Sequence, residues 1–99
     1  MKLAKEINGK KLTVSVSGML NAISSSELEA ELRDSLADVD DLVLDLSGME
    51  YISSAGLRVL LGAQQYMDEK DGTMIVRGVN DMVMETFEET GFDKLLDIE

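Results

Sequence analysis

The chain opens on two short alternating runs, Leu3 to Ile7 and Lys11 to Val16, on either side of Asn8-Gly9. Asn-Gly between alternating runs is the strongest short-range hairpin signal, and it predicts a type I′ turn. Leu12, Val14 and Val16 fall on one side and Thr13, Ser15 and Ser17 on the other, the pattern of a half-buried antiparallel strand. Gly18-Met19-Leu20-Asn21 leads out of it. The period then changes. Leu28, Leu32 and Leu36 recur every four residues, which predicts an amphipathic helix lying on a sheet, with Glu29, Glu31, Arg33 and Asp34 on its wet side. Its start is offered twice, as a capping box of Ser24 with Glu27 or of Ser26 with Glu29, and Asp38 to Asp41 ends it.

Leu42, Val43, Leu44 and Leu46 form a continuous apolar run, as in a strand covered on both faces. Asp45 interrupts the run, Ser47-Gly48 stops it, and Tyr51-Ile52 re-enters the interior. Ser53-Ser54 then opens a second helix reaching about Lys70, apolar nearly all round in its first half. Gly56 and Gly62 each weaken that helix by roughly 1 kcal/mol against alanine, and close backbone packing is the expected compensation. Thr73 to Arg77 reads as another buried strand. Asp81 is the expected cap of a third helix, with Val83, Phe87 and Thr90 towards the core, Met82 in the core and Met84 exposed as an interface candidate. Gly91 closes that helix, Phe92 to Leu96 gives one short turn, and Asp97 to Glu99 a last strand fragment.

The order β-β-α-β-α-β-α-(β) describes an α/β domain with a mixed sheet. An antiparallel hairpin comes first, alternating β-α units follow, and the helices lie mainly on one face. Ninety-nine residues make one domain, 1–99, without repeats or linkers. No run of about 18 apolar residues is present, so no membrane span is expected. The start Met1-Lys2-Leu3-Ala4-Lys5-Glu6 has no apolar stretch of a secretory leader. Absence of cysteine fits a reducing cytoplasm, and absence of histidine removes the commonest metal ligand and neutral-pH acid/base group. No metal, cofactor or catalytic residue is expected.

The net charge of −11 is unevenly spread. Four of the nine basic residues, Lys2, Lys5, Lys10 and Lys11, lie at the start, so residues 12–99 carry five basic against 19 acidic groups. Such a surface repels phosphate backbones, which argues against nucleic acid as a partner.

The stretch from Asp45 to Leu61 is where chemistry concentrates. A polar strand end followed by serines at a helix start is where open α/β sheets place their sites. It also accommodates a phosphate, because the first backbone N–H groups of the helix are unpaired. Ser54 is the leading candidate. Asp45 has no acid/base partner placed beside it, so it reads as a carboxylate that supports the loop by accepting its N–H groups. Gly18 and Gly48 read as turn residues.

Asp45-Leu46-Ser47, Tyr51-Ile52 and Ser53-Ser54-Ala55-Gly56-Leu57 resemble the hallmark of the STAS domain, specifically the small stand-alone anti-sigma-factor antagonists of bacteria. In that hallmark a buried strand ends Asp-Leu-Ser, and Asp-Ser-Ser/Thr/Ala-Gly-Leu then opens a helix. Ser17-Gly18-Met19-Leu20-Asn21 is similar to the family's Gly-x-Leu-Asp loop, and Thr90-Gly91-Phe92-Asp93-Lys94-Leu95 to its Thr-Gly-Leu-Asp-Lys ending. The resemblance implies a switch rather than an enzyme. The antagonist binds an anti-sigma factor that is also a serine kinase, which frees the sigma factor. The kinase phosphorylates one serine, carried over by position to Ser54, and a PP2C-type phosphatase restores it. Asn21, Ser53, Ala55, Gly56, Leu57 and Arg58 surround that serine and are the expected partner-binding residues.

Two positions depart from the family pattern. Ser53 and Asn21 stand where aspartate is usual, each removing a negative charge beside the acceptor and leaving Ser53 as a rival acceptor. Arg58, one turn beyond Ser54, can pair with a phosphate there. Two other functions compete. One is a non-switching STAS subunit of a larger assembly, of the stressosome or lipid-transport type. The other is a phosphate- or nucleotide-binding module, against which the lack of any Walker A or Gly-x-Gly-x-x-Gly loop argues. The expected state is a monomer or a weak dimer through a sheet edge.

Overall fold

A computed structural model describes all residues, 1–99. The alternating runs form strands β1, Lys2–Asn8, and β2, Lys11–Leu20, paired antiparallel from Lys2↔Ser17 to Asn8↔Lys11. Asn8 is itself a paired residue, so the hairpin loop is Gly9-Lys10 and not Asn8-Gly9. Only Gly9 has positive φ, +64°, the arrangement of a loop with glycine at its first central position rather than the type I′ pair of left-handed residues.

Helix α1 spans Ala22–Ser35, β3 Asp41–Ile52, α2 Ser54–Glu69, β4 Thr73–Arg77 and α3 Asp81–Thr90, before a 3-10 turn over Phe92–Lys94. The sheet order is β1-β2-β3-β4, antiparallel at the first pair and parallel at the other two. Ile98 bridges Val76 in parallel beyond β4, the strand fragment expected at the end of the chain.

Register sorts the side chains into two faces. Leu12, Leu42 and Met74 stand in one row and Val14, Leu44 and Val76 in the next, all buried. Leu28, Leu32 and Leu36 of α1, Leu57, Leu60, Ala63 and Met67 of α2, and Val83 and Phe87 of α3 close on those rows in a single core of 23 residues. All three helices therefore cover the same face. The opposite face carries Thr13, Val43 and Ile75 in one row and Ser15, Asp45 and Arg77 in the next. Val43 is the one buried apolar residue outside the main core, so β3 is not helix-covered on both sides. Its position in the middle of the sheet, between Thr13 and Ile75, shields it instead.

Several local expectations are corrected. Ser47-Gly48 does not stop β3. Pairing with β2 continues through Ser17↔Gly48, Gly18↔Met49, Met19↔Tyr51 and Leu20↔Ile52. The strand stays in the ladder by bulging, because it advances three residues from Asp45 to Gly48 while β2 advances two, and slips again after Met49. Tyr51 is exposed while Ile52 is buried, as adjacent strand residues face opposite ways. In α3, Met82 is exposed and Met84 packs partly against the core, the reverse of the expectation, and Thr90 is exposed with its hydroxyl bonded to Thr86 O at 2.7 Å. Gly91 ends that helix in the left-handed conformation, φ +80°. In α2, a methyl group at Gly56 would collide with Leu20 and Ile52, whereas Gly62 is exposed with nothing within 4 Å, so close packing explains only the first glycine.

Candidate functional site

Because β2, β3 and β4 are parallel, their carboxyl ends share one edge of the sheet, and each strand is followed there by a helix start. The three N-caps are Asn21, Ser53 and Asn80. Two differ from the residues the sequence suggested. The capping box of α1 joins Asn21 to Ser24, in place of Ser24 to Glu27. Asn21 Oδ1 accepts from Ile23 N at 3.1 Å and Ser24 N at 3.0 Å, and Ser24 Oγ accepts from Asn21 N at 2.9 Å. For α3 the cap is Asn80 and not Asp81, with Asn80 Oδ1 accepting from Val83 N at 2.8 Å. Asn80 Nδ2 also donates to Met49 O at 2.8 Å, a bond that aspartate has no hydrogen to make. Asn80 thereby ties α3 to the bulged part of β3.

Around Ser54 the roles of the serine pair separate. Ser53 N donates to Leu20 O at 2.9 Å, joining the ends of β3 and β2. Ser53 Oγ accepts from Gly56 N at 3.2 Å and caps α2. Ser54 is the first residue of the helix, is exposed, and its hydroxyl has no hydrogen-bond partner within the chain. The N–H groups of Ser54 and Ala55 have no carbonyl within the helix to bond, as in the first turn of any α-helix.

The other expected partner-binding residues divide by burial. Asn21 and Arg58 are exposed, Ser53 and Ala55 are half-buried, and Gly56 and Leu57 are buried. Gly56 and Leu57 are packing residues: Leu57 enters the core, and the bare Gly56 backbone lets α2 approach Leu20 and Ile52. Four apolar side chains stand exposed at the same edge, two of them, Tyr51 and Met82, against the expectation that they face the interior. Met19 and Tyr51 are register partners at the ends of β2 and β3, 50% and 45% exposed. Ile23 in the first turn of α1 is 78% exposed, and Met82 in the first turn of α3 is 64% exposed. Ile23 lies off the Leu28-Leu32-Leu36 stripe, and Tyr51 has opposite strand parity to Ile52, so both signals were present in the pattern.

Asp45 supports this edge from below. Its Oδ1 accepts from Ser47 Oγ at 2.5 Å and from Ser47 N at 3.0 Å, and its Oδ2 meets Arg77 Nε at 3.3 Å. The Ser47 hydroxyl, then the Ser47 N–H, hold its carboxyl below the ordinary carboxylate value; partial burial opposes this and Arg77 adds to it. No acid/base partner accompanies it: a serine and an arginine make a brace across the first bulge. No group of three or more His, Cys, Asp or Glu is placed to hold a metal ion, and no helix is long and apolar enough to cross a membrane.

Comparison with known proteins agrees with this architecture. A family model described as "Mlab, STAS domain" matches residues 3–97. BtrV of Bordetella bronchiseptica, a candidate anti-sigma factor antagonist, is 36% identical over 96 residues, covering 93% of this chain and 80% of that protein. A solved anti-sigma factor antagonist from Mycobacterium paratuberculosis superposes with a TM-score of 0.83 at 26% identity, covering 98% of this chain and 83% of that one. The Bacillus cell fate determinant SpoIIAA in its phosphorylated form superposes with a TM-score of 0.79 at 13% identity, covering 99% of this chain and 91% of that one, a likeness of fold.

Proposed function

The chain belongs to the STAS domain family, and from that premise we propose that it is an anti-sigma-factor antagonist whose binding is switched off by phosphorylation of Ser54. In its unmodified form it binds an anti-sigma-factor serine kinase and frees the sigma factor. The kinase then phosphorylates Ser54, the complex separates, and a PP2C-type phosphatase resets the switch. The setting is the bacterial cytoplasm.

The observation that carries this reading is the division of labour between two adjacent serines. Ser53 spends its hydroxyl oxygen as the cap of α2, whereas Ser54 offers a free, exposed hydroxyl at the first helical position. That hydroxyl shares its edge of the sheet with exposed Met19, Ile23, Tyr51 and Met82. Apolar side chains held out into water at the strand ends suit a protein partner better than a nucleotide. The neutral caps Asn21 and Ser53 keep the acceptor oxygens that the helix starts need, so the missing family aspartates leave the local backbone supported. They also lessen the negative charge that a phosphate on Ser54 would meet.

The chemistry of the modification fits a switch in binding. A phosphate adds roughly −1.5 to −2 charges. At a helix N-terminus this is favourable by about 0.3–1 kcal/mol, so the fold is retained. Within an interface fitted to a hydroxyl, the same dianion brings a desolvation cost of about several kcal/mol.

A second reading, a STAS subunit fixed in a larger assembly, is favoured by one observation: the matching family model is described by the domain and not as an antagonist. One experiment separates the two. The protein is purified from its native host and mapped by peptide mass spectrometry beside a Ser54→Ala control. A phosphopeptide lost in the control, with weakened partner capture by Ser54→Asp, supports the switch. A phosphate on Ser53 moves the site, and no phosphate in any growth condition turns the conclusion to the fixed subunit.

A further inference from the structure

The three arginines differ in one respect. Arg33 is held by Glu29 at 2.9 Å and Arg77 by Asp45 at 3.3 Å, whereas Arg58 has no carboxylate within ion-pair distance. Of the nine basic residues only Lys5, Arg33 and Arg77 are ion-paired, and Arg58 is the one arginine left without a carboxylate. Arg58 is exposed and lies one turn beyond Ser54, the spacing at which helix side chains meet.

Arg58 also lines a shallow depression between the first turns of α1 and α2, with Ser25, Ser26, Glu29 and Ala55. Glu29 and Arg58 are the only charged groups there, and Glu29 is already engaged by Arg33. Ser25 is 2% exposed, and its hydroxyl has no hydrogen-bond partner. The depression thus combines an unsatisfied hydroxyl and an unpaired guanidinium, and it reaches α2 at Ala55, the residue after Ser54 at the helix start where the first amides are free. Together these form a donor set suited to phosphoryl oxygens.

We propose that Arg58 clamps the phosphoryl group of phospho-Ser54, so that modification withdraws a cation from the binding surface as well as masking a hydroxyl. This rests on Ser54 being the regulated residue. In the unmodified protein Arg58 is free for a carboxylate on the partner; in the modified protein it is occupied within its own chain. Arg58 is a positioning residue for the phosphate, and the charge change presented to a partner is spread over two side chains rather than one.

The test does not need the kinase. Phosphoserine is inserted at position 54 during translation, and its phosphorus resonance is titrated in the otherwise wild-type protein, in Arg58→Gln and in Lys10→Gln. The second phosphoserine pKa is ordinarily about 6. With Arg58 present it is expected lower than in Arg58→Gln by roughly half a unit or more. Lys10→Gln, in the hairpin loop at the opposite end of the sheet, leaves it in place, and Ser25→Ala moves it the same way as Arg58→Gln by a smaller amount. The helix N-terminus is common to all forms and cancels. In the modified protein the Arg58 Nε–H resonance also shifts. Equal pKa values with and without Arg58, or an unmoved Nε–H, overturn the clamp. A clamp found here beside an unmodified Ser54 in the host would reject the switch and not the clamp, so the two failures are distinguishable.

Discussion

Gly56 and Gly62 lie on one helix, and their replacement by alanine is expected to have opposite effects. Alanine in a helix interior is favoured over glycine by about 1 kcal/mol. At Gly62 the new methyl meets nothing within 4 Å, so that gain is realised. Gly62→Ala should raise stability by about 1 kcal/mol, or roughly 4–8 °C in Tm for a domain of this size. At Gly56 the new Cβ would stand 2.8 Å from Leu20 Cδ2, 2.9 Å from Ile52 Cγ1 and 3.0 Å from Leu20 Cγ. Leu20 and Ile52 are both buried, so neither has space to withdraw. Overpacking of this kind costs about 1–3 kcal/mol. The propensity gain is smaller in the first turn, so a net loss of about 1 kcal/mol is expected and the two variants separate by about 2 kcal/mol. Urea unfolding of both, with the slope checked for constancy, measures the difference directly. Gly56→Ala proving as stable as Gly62→Ala would sink the claim that bare backbone at Gly56 seats α2 on the strand ends. The same seating sets where Ser54 emerges, so Gly56→Ala should also weaken partner capture while Gly62→Ala leaves it unchanged.

Three further outcomes follow from the caps and the brace. Asn80→Asp keeps the acceptor for Val83 N but sets a carboxylate against Met49 O, so thermal melts should show a loss of about 1–3 kcal/mol, and an unchanged melt removes the Asn80–Met49 tie as a stabilising contact. Ser53→Ala removes the cap of α2 at a cost of about 1 kcal/mol and leaves Ser54 open to modification, which in vitro phosphorylation with peptide mapping would check. Asp45 is held below its ordinary value of 3.8, so its stabilisation is fully present above that value and is lost as pH falls through the depressed one. The stability gap between wild type and Asp45→Asn should therefore be constant near neutrality and close on acidification below about pH 4; a gap that holds or widens contradicts the brace.

The sheet and its order were legible because period alone separates strands from helices. Alternation marks β2, and the Leu28-Leu32-Leu36 stripe marks α1 and correctly names its buried face. What escaped was local competition between equivalent residues. Asn21, Ser24 and Ser26 all qualify as caps, as do Asn80 and Asp81, and tertiary bonds chose among them: Ser24 Oγ is also drawn to Met19 O at 2.8 Å, and Asn80 is needed as a donor to Met49 O. The continuation of β3 past Ser47-Gly48 escaped for a related reason. A Ser-Gly pair is a stop signal in isolation, but here the parallel neighbour β2 supplies partners and Asp45 holds the bulge. Ser53-Ser54 was legible as the start of α2, and the exposure of Ile23 and Tyr51 was present in the helix stripe and the strand parity, whereas that of Met19 and Met82 required knowing which face of each element turns outward.

The bulges explain why the site sits where it does. An unbulged β3 would keep strict alternation with β2 from Leu12↔Leu42 to the end of the sheet. With two extra residues β3 sets Ile52 rather than Glu50 opposite Leu20, and because two is even Tyr51 still turns out and Ile52 in. The Ser53 N–H then reaches Leu20 O, and the caps Asn21 and Ser53 leave the sheet side by side, each the residue after its strand. The starts of α1 and α2 are thus held together by backbone bonds that do not involve the Ser54 side chain. A phosphate on that side chain has no internal bond to break and enters a field that favours it by about 0.3–1 kcal/mol. The scaffold therefore resists the modification while its surface does not, which is the condition for a covalent change to alter binding without altering the fold.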